Sequence, residues 1–430
     1  MLFRTSVVFV TILTCRLALC DVGLILNEST GKGVSGFTSA GHSAVYFSNI
    51  CPASPISLRL CRSGEQGSVL SNYTNFGETS PYEWNIVPLS VFLYGVDDPV
   101  DAPLYGNEEV LKLLQERYRE LHLSSICPSG TCADPSAGSH WRDMVGGSFV
   151  RQIYLFRVRT TPEQDARIVA EFNSLPNENH YNGFTRNCAD FARSVVNSYF
   201  PDAAKPDHLN DFGMTSPKAI SKSFTHYGEA HPELGITVER FAQLPGPVRR
   251  SSPARKGTEA SFHLKRWFIP LLLARSHELP LFVAAYALTG RFNPDHEVKR
   301  HPGKEELSTA IMWSDYRDQF REIRDTAIQD GVFCDAAEMK TYFRELSAEG
   351  TARLDSDGRP YLLSAGRMVG LSRSNLLSLN SDPLLAYRLM LARVGAILDA
   401  PPKRREDPAA FRADWDLLIR SRERFTTAAN

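Results

Sequence analysis

The apolar residues in the first part of the chain fall into short runs: Val22 to Leu26, Gly41-His42-Ser43-Ala44-Val45-Tyr46-Phe47, Ile56 to Leu60 and Val69 to Tyr73. Runs of this length, set between Gly, Pro and Ser, predict consecutive strands of a sheet. The period then lengthens. Val110, Leu111, Leu114, Tyr118 and Leu121 recur at helical spacing and predict a helix from about Glu108 to Leu123, after which Val150 to Val158 returns to a strand pattern. Thr161-Pro162-Glu163-Gln164 is a capping box with proline at the first helical position, opening a helix that runs to about Phe172. Another helix begins near Asn187 and stops before Pro201. Strands, helix, strand, helix, helix is the order of an α+β domain. From Pro302 onward the pattern is helical, over Glu306 to Ile328, Ala336 to Leu346, Pro383 to Leu398 and Pro408 to Phe425, with a turn at Gly358 and Pro360 interrupting it. The expected fold class is therefore α+β, with a mainly helical C-terminal domain.

The length of 430 residues, 43% of them hydrophobic and 23% charged, accommodates two ordinary domains and rules out a disordered or fibrous chain. Arg4 before the apolar run Val7 to Leu13, with Ala18-Leu19-Cys20 where a signal peptidase reads small residues, predicts an export signal over residues 1–20. Residues 21–245 form the expected α+β domain, 246–300 a basic and apolar connector, and 301–430 a helical accessory domain. The expected location is periplasmic or cell-envelope associated. Formal charge is −1, or 46 basic against 49 acidic residues (−3) once Arg4 and Arg16 leave with the leader. Nucleic acid is thereby disfavoured as a partner, because phosphate binding needs a concentrated surplus of Lys and Arg.

The connector begins at Pro245 and Pro247, carries Arg249, Arg250, Arg255, Lys256, Lys265 and Arg266, and continues into the apolar runs Trp267 to Leu273 and Leu279 to Leu288. Arg275, His277 and Glu278 interrupt those runs, and a charge at mid-bilayer costs roughly 2.5–3.5 kcal/mol, so a spanning helix is not expected. Two short helices on a membrane surface and a buried helical hairpin both fit. His277-Glu278 reads as a polar turn, since no second metal ligand stands at helical spacing.

Cysteine use agrees with export. Cys51 and Cys61 flank a short Pro-containing loop, Cys127 and Cys132 enclose a turn, and Cys188 and Cys334 stand alone. Disulfides are expected within the two pairs, worth up to roughly 3 kcal/mol for the first. Zinc is disfavoured because neither pair has the two-residue spacing of a knuckle.

The informative stretch is Tyr181-Asn182-Gly183-Phe184-Thr185-Arg186-Asn187-Cys188-Ala189-Asp190-Phe191, which sets a lone cysteine at a helix start. Asn187 can cap, Asp190 suits the positive first turn, and Cys188, Phe191, Ala192, Val195 and Tyr199 share one face. A thiol held there is predisposed to ionise. Lowering a thiol from about 8.5 to about 5.5 needs roughly 4 kcal/mol, and a helix terminus supplies about 1 and at best about 2. An adjacent imidazolium must supply the rest. Of His42, His122, His140 and His180, which precede the cysteine, His42 is the best placed, because a strand fixes its direction together with Ala44 and Tyr46.

The strand motif Gly-His-Ser-Ala-Val-Tyr-Phe at 41–47, followed by Tyr-Asn-x4-Asn-Cys-x2-Phe at 181–191, resembles the circularly permuted branch of the papain-like NlpC superfamily. That branch includes lecithin:retinol acyltransferase-like enzymes and a bacterial exported family of unknown function, and the resemblance covers roughly residues 22–200. It implies a permuted papain-like N-terminal domain in which Cys188 is the nucleophile, His42 the general base and Tyr181 a polar group near the forming oxyanion. The Cys188 backbone amide would stabilise that oxyanion. A third polar residue on the strand after the histidine is also implied; Asn72 is preferred for it over Ser57 and Arg59. Family members act on amide or peptide bonds of cell-wall material, or transfer acyl groups from lipids. The expected activity is an exported cysteine hydrolase or acyltransferase working through an acyl-enzyme at Cys188, on a cell-wall peptide or lipid acyl substrate, with no cofactor and no metal.

Two rival readings accompany it. Gly41-His42-Ser43-Ala44-Val45 approaches the Gly-x-Ser-x-Gly elbow of serine hydrolases, with Val45 in place of the second glycine. The other is a papain-like fold kept as a non-catalytic binding module. No Gly-rich dinucleotide or phosphate loop and no metalloprotease helix motif is present.

Overall fold

The computed structural model describes residues 20–30, 40–73, 82–124, 126, 140–178, 180–264, 284, 286–303 and 309–429. The export signal up to residue 19, the Cys127 and Cys132 pair, and most of the apolar connector lie outside the described residues. Among those described, no helix is long and apolar enough to cross a membrane.

The strand patterns of the first half become β1 (Cys20–Asn27), β2 (His42–Phe47), the hairpin β3 (Ile50–Ser54) and β4 (Ser57–Leu60), β5 (Ser68–Asn72) and β6 (Trp84–Pro88). Helices α1 (Leu89–Tyr94), α2 (Glu108–Tyr118) and α3 (Gly147–Val150) precede β7 (Ile153–Thr160), and α4 (Pro162–Ser174), α5 (Cys188–Tyr199) and α6 (Pro217–Ala230) precede β8 (Thr237–Phe241). Six strands form one antiparallel sheet in the order β6-β5-β2-β1-β7-β8. The α+β class read from the sequence is the class observed. The α4 capping box forms as read, with the Thr161 hydroxyl accepting from Gln164 N and the Gln164 side chain accepting from Thr161 N. Cys51 and Cys61 are bridged across the β3–β4 hairpin.

Strand alternation sends side chains to two different cores. Val22, Leu24, Leu26, Val45, Phe47 and Leu70 pack on α5 and α6 through Ala192, Val195, Val196, Ile220 and Phe224. Ile25, Ala44, Tyr46, Val69 and Val87 face the other way, onto Val91, Phe92, Trp141 and Met144. A sheet covered on both faces has few polar positions along its central strands, which is why these strands read as nearly continuous apolar runs. Parts of the connector join this body: Ala254 and Val298 belong to the α5-side core, and Ser252 bridges Ser29.

The C-terminal part contains α7 (Gly257–Leu264), α8 (Pro294–Arg300), α9 (Thr309–Gln329), α10 (Ala336–Glu349), α11 (Pro383–Asp399) and α12 (Pro408–Ala429). Between α10 and α11 lies a three-stranded antiparallel sheet, β9 (Thr351–Leu354), β10 (Pro360–Ser364) and β11 (Arg367–Gly370), where the sequence reading saw only a turn. The helices after residue 301 do not close a core by themselves. Leu104, Tyr105, Val110, Leu114, Phe149 and Leu244 share one apolar cluster with Met390, Leu391, Phe411 and Leu418. Arg404 also pairs with Glu28 at 2.7 Å, tying this part to the end of β1.

Candidate active site

The site is built on the first turn of α5. Asn187 accepts from Ala189 N at 2.8 Å and Asp190 N at 3.1 Å, and the Asp190 carboxylate accepts from Asn187 N, which completes a capping box. Thr215 donates to Asp190 at 2.6 Å, and the Asn187 side chain donates to Thr215 O, so a second loop locks the cap. Ala189, Ala192, Val195, Val196 and Tyr199 bury the apolar face against the sheet. Cys188 is thereby held as the first helical residue, buried, with a free thiol.

β2 pairs with β5 only from Val45 to Phe47. At the open end beyond that pairing, the backbone amides of Ser43, Ala189 and Cys188 itself approach the Cys188 sulfur and favour its ionised form. Burial nevertheless dominates. It pushes the thiol up to about 11, with Asp190 adding to the rise and the three amides opposing it. The thiolate expected from the helix terminus is therefore not the resting form: the helix supplies only about 1 to 2 kcal/mol, and desolvation of a fully enclosed sulfur outweighs it.

Tyr181 stands where the sequence motif set it. Burial, with the nearby thiol, raises its pKa against the opposing pull of the Cys188 backbone amide, so it stays a protonated donor at neutral pH. His42 opens β2 behind Gly41, whose φ of 78° and close approach to the Asn27 carbonyl oxygen exclude a side chain there. The imidazole is 8% exposed and stacks on Tyr73, with ring centroids 4.1 Å apart and planes within 8°. Extending the β2–β5 register past Val45↔Leu70 sets Tyr73 opposite His42, which accounts for the stack. The Tyr73 phenol is raised well above its ordinary value, chiefly by burial, and it also feels Asp143, Arg151, Cys188 and Tyr181. Cys188, Tyr181, Tyr73 and His42 thus gather at one end of the sheet, the histidine reaching it from the face opposite α5.

Asn72 does not join them as expected. In β5 it alternates with Tyr73 and shares the α5-side face with Leu70, and its Nδ2 donates to Glu83 O at 2.9 Å. A residue one position away from the histidine's neighbour points through the sheet the other way. The serine elbow also fails on geometry: Ser43 is 1% exposed, its hydroxyl donates to Ile25 O, and strand rather than helix follows it. One residue that the sequence reading passed over is Tyr73. Tyr73 was legible as a strand residue, but its stacking role depends on register.

Among the described residues, Glu229, Glu297 and His301 converge their ligand atoms within 4.8 Å. Arg300 lies on both carboxylates, at 2.9 Å from Glu229 and 3.5 Å from Glu297, and supplies the neutralising charge, so this is an ion-pair cluster joining α6 to α8. The other convergent group contains the Cys51–Cys61 disulfide, whose sulfurs cannot serve as thiolate ligands.

Comparison of the chain with protein-family models, with curated proteins and with solved structures yields no match.

Proposed function

We propose that the protein is a cysteine hydrolase or acyltransferase of permuted papain-like design, acting on an amide, peptide or acyl ester bond through an acyl-enzyme at Cys188. The observation that carries this reading is the meeting of the Cys188 thiol, its own backbone amide and the Tyr181 hydroxyl at the capped start of α5, with His42 at the same end of the sheet. The sulfur attacks the carbonyl carbon while its proton passes to His42. The resulting oxyanion takes hydrogen bonds from the Cys188 amide and the Tyr181 hydroxyl. The C–N or C–O bond breaks, and His42 returns the proton to the departing amine or alcohol. Water or a second acceptor, deprotonated by His42, then releases the acyl group and restores the thiol. Because burial keeps the thiol protonated, His42 works as a general base during attack rather than in a standing ion pair. The disulfide at Cys51–Cys61 supports an exported, envelope-side setting, where cell-wall peptides or lipid acyl groups are the substrate classes.

The test is acylation by p-nitrophenyl esters, read by intact mass. An adduct on Cys188 is expected, absent in Cys188→Ala, unchanged in Ser43→Ala and formed about 100-fold or more slowly in His42→Ala. Alkylation of the empty protein should climb with pH toward about 11. A Cys188 that takes no acyl group and alkylates at a rate indifferent to His42 refutes the reading. It would favour the second one, a non-catalytic binding module, for which the raised thiol is the supporting observation.

A further inference from the structure

We infer that Lys256 is a positioning residue for Cys188, acting through the loop 207–216 between α5 and α6. Lys256 stands one residue before α7, in the connector, and is 0% exposed. An ammonium this deep needs a counter-charge, so its partner fixes where it sits. That partner is the Asp207 carboxylate, at 2.7 Å. The next two residues repeat the attachment: Gly257 N donates to Asp211 Oδ1 at 2.9 Å, and Thr258 N donates to Asn210 O at 2.9 Å. Within the loop, the Asn210 side chain donates to Asp207 at 2.8 Å and the Ser216 hydroxyl donates to the other oxygen of Asp211 at 2.7 Å. Three consecutive connector residues therefore hold the loop, two of them through its carboxylates.

The loop in turn locks the first turn of α5. Thr215 O accepts from the Asn187 side chain at 3.0 Å and the Thr215 hydroxyl donates to Asp190 at 2.6 Å, and Asn187 and Asp190 form the capping box on either side of Cys188. Thr215 and Ser216 are both buried, and Ser216 also caps α6 by accepting from Ala219 N, so this end of the loop is firmly seated. Further back the loop is strained: Phe212 has a φ of 54°, which a bulky residue keeps only where its surroundings impose it. The connector supplies part of that constraint. Gly257 bonds the neighbouring Asp211, and a side-chain carbon at Gly257 would lie 3.0 Å from the Phe212 ring. Removing the Lys256 charge lets the loop relax this strain, and the shift reaches the cap through Thr215. A displacement of about 1 Å at the reacting group is worth about 100-fold in rate. The consequence for acylation rests on the thiol reading above, whereas the effect on the cap does not.

The experiment uses the full chain, with p-nitrophenyl acetate as the acylating probe and iodoacetamide as the alkylating one, both read at Cys188 by peptide mass. Lys256→Met keeps the apolar stem of the side chain and removes the charge. It should slow acylation about 10-fold or more at an unchanged half-saturating ester concentration. It should also move the alkylation profile down from about 11, as the loosened cap admits water to the thiol. Thr215→Val, at the far end of the same chain of bonds, should act likewise, and the double variant should be no worse than the more impaired single one, because both lesions break one path. Circular dichroism confirms the fold, and Asp207→Asn, which removes the counter-charge but keeps a hydrogen-bonding group, provides the same test if Lys256→Met does not fold. Folded variants that acylate and alkylate like the wild type overturn the inference, and so do losses that add in full in the double variant. If the wild type takes no acyl group, the thiol reading falls, and the alkylation profiles alone decide the positioning.

Discussion

Two regions of this protein bury polar groups, and they treat them in opposite ways. Around Arg393, which is 2% exposed, the buried cation is matched: its guanidinium donates to Asp414 at 2.9 and 2.7 Å, to Leu104 O at 2.6 Å and to Glu406, while Arg373 binds the other oxygen of Asp414. At the open end of the large sheet several neutral atoms are unmatched. Among the described residues, both amide atoms of Asn27, the Ser71 hydroxyl and the Asn72 Oδ1 are buried without a hydrogen-bond partner. An unmade buried hydrogen bond costs about 1–3 kcal/mol, whereas a matched one contributes about 1. The first region holds the C-terminal helices onto residues 96–114. The second carries a stability cost, and it lies at the end of the sheet where the candidate site is built.

The largest effect expected from this contrast is at Asp414. Replacing it with alanine leaves Arg393 buried without its main counter-charge and deprives Arg373 of its partner, so Asp414→Ala should destabilise the protein by about 3–5 kcal/mol in urea unfolding. A loss below about 1 kcal/mol would mean that the cluster is solvated in practice, and the contrast between the regions would collapse.

What the sequence made legible divides along the same line. The Thr161 capping box, the Asn187 cap, the strand at 42–47 and the Cys51–Cys61 pairing all rest on residues close in sequence, and they form as read. The Arg393 cluster joins α11 to α12 and to Leu104, so no local pattern announces it. Asn27 looks like an ordinary polar end to a strand until β1 is paired with β2. The rise in the thiol's pKa is non-local in the same way: the helix terminus that lowers it is read from neighbouring residues, while the burial that raises it is not. The sheet at 351–370 escaped notice because strands of four or five residues around the Gly358 turn carry too few positions to show alternation against a helical background.

A second, smaller effect sharpens the view of the charged region. Burial pushes the Glu406 carboxyl up to about 8, with Asp414 adding to the rise and Arg393 opposing it. In the unfolded chain a glutamate titrates near 4.3, so between these values the native state holds a proton that the unfolded state lacks. This contribution is fully present below about 4.3 and is lost as pH rises to about 8. Asp414 is lowered, Arg393 being the main opponent of its desolvation, and contributes in the opposite sense only in acid. Glu406→Gln keeps a neutral hydrogen-bonding group in place, so urea midpoints of the variant should lose the decline that the wild type shows between about pH 5 and 8. Parallel declines in both proteins would show that Glu406 is ionised throughout.

The smallest expected effect is also the most discriminating. Asn27→Leu removes two unpaired polar atoms from a site that is 0% exposed and fills nearly the same volume with carbon. If the amide contributes nothing to the fold, unfolding free energy should change by less than about 1 kcal/mol and could rise, since an orphaned group is lost and apolar burial gained. The same substitution at a matched position would cost several times more. A loss of 3 kcal/mol or more, on the order of the Asp414→Ala effect, would show that Asn27 is bonded in solution and belongs with the structural cluster.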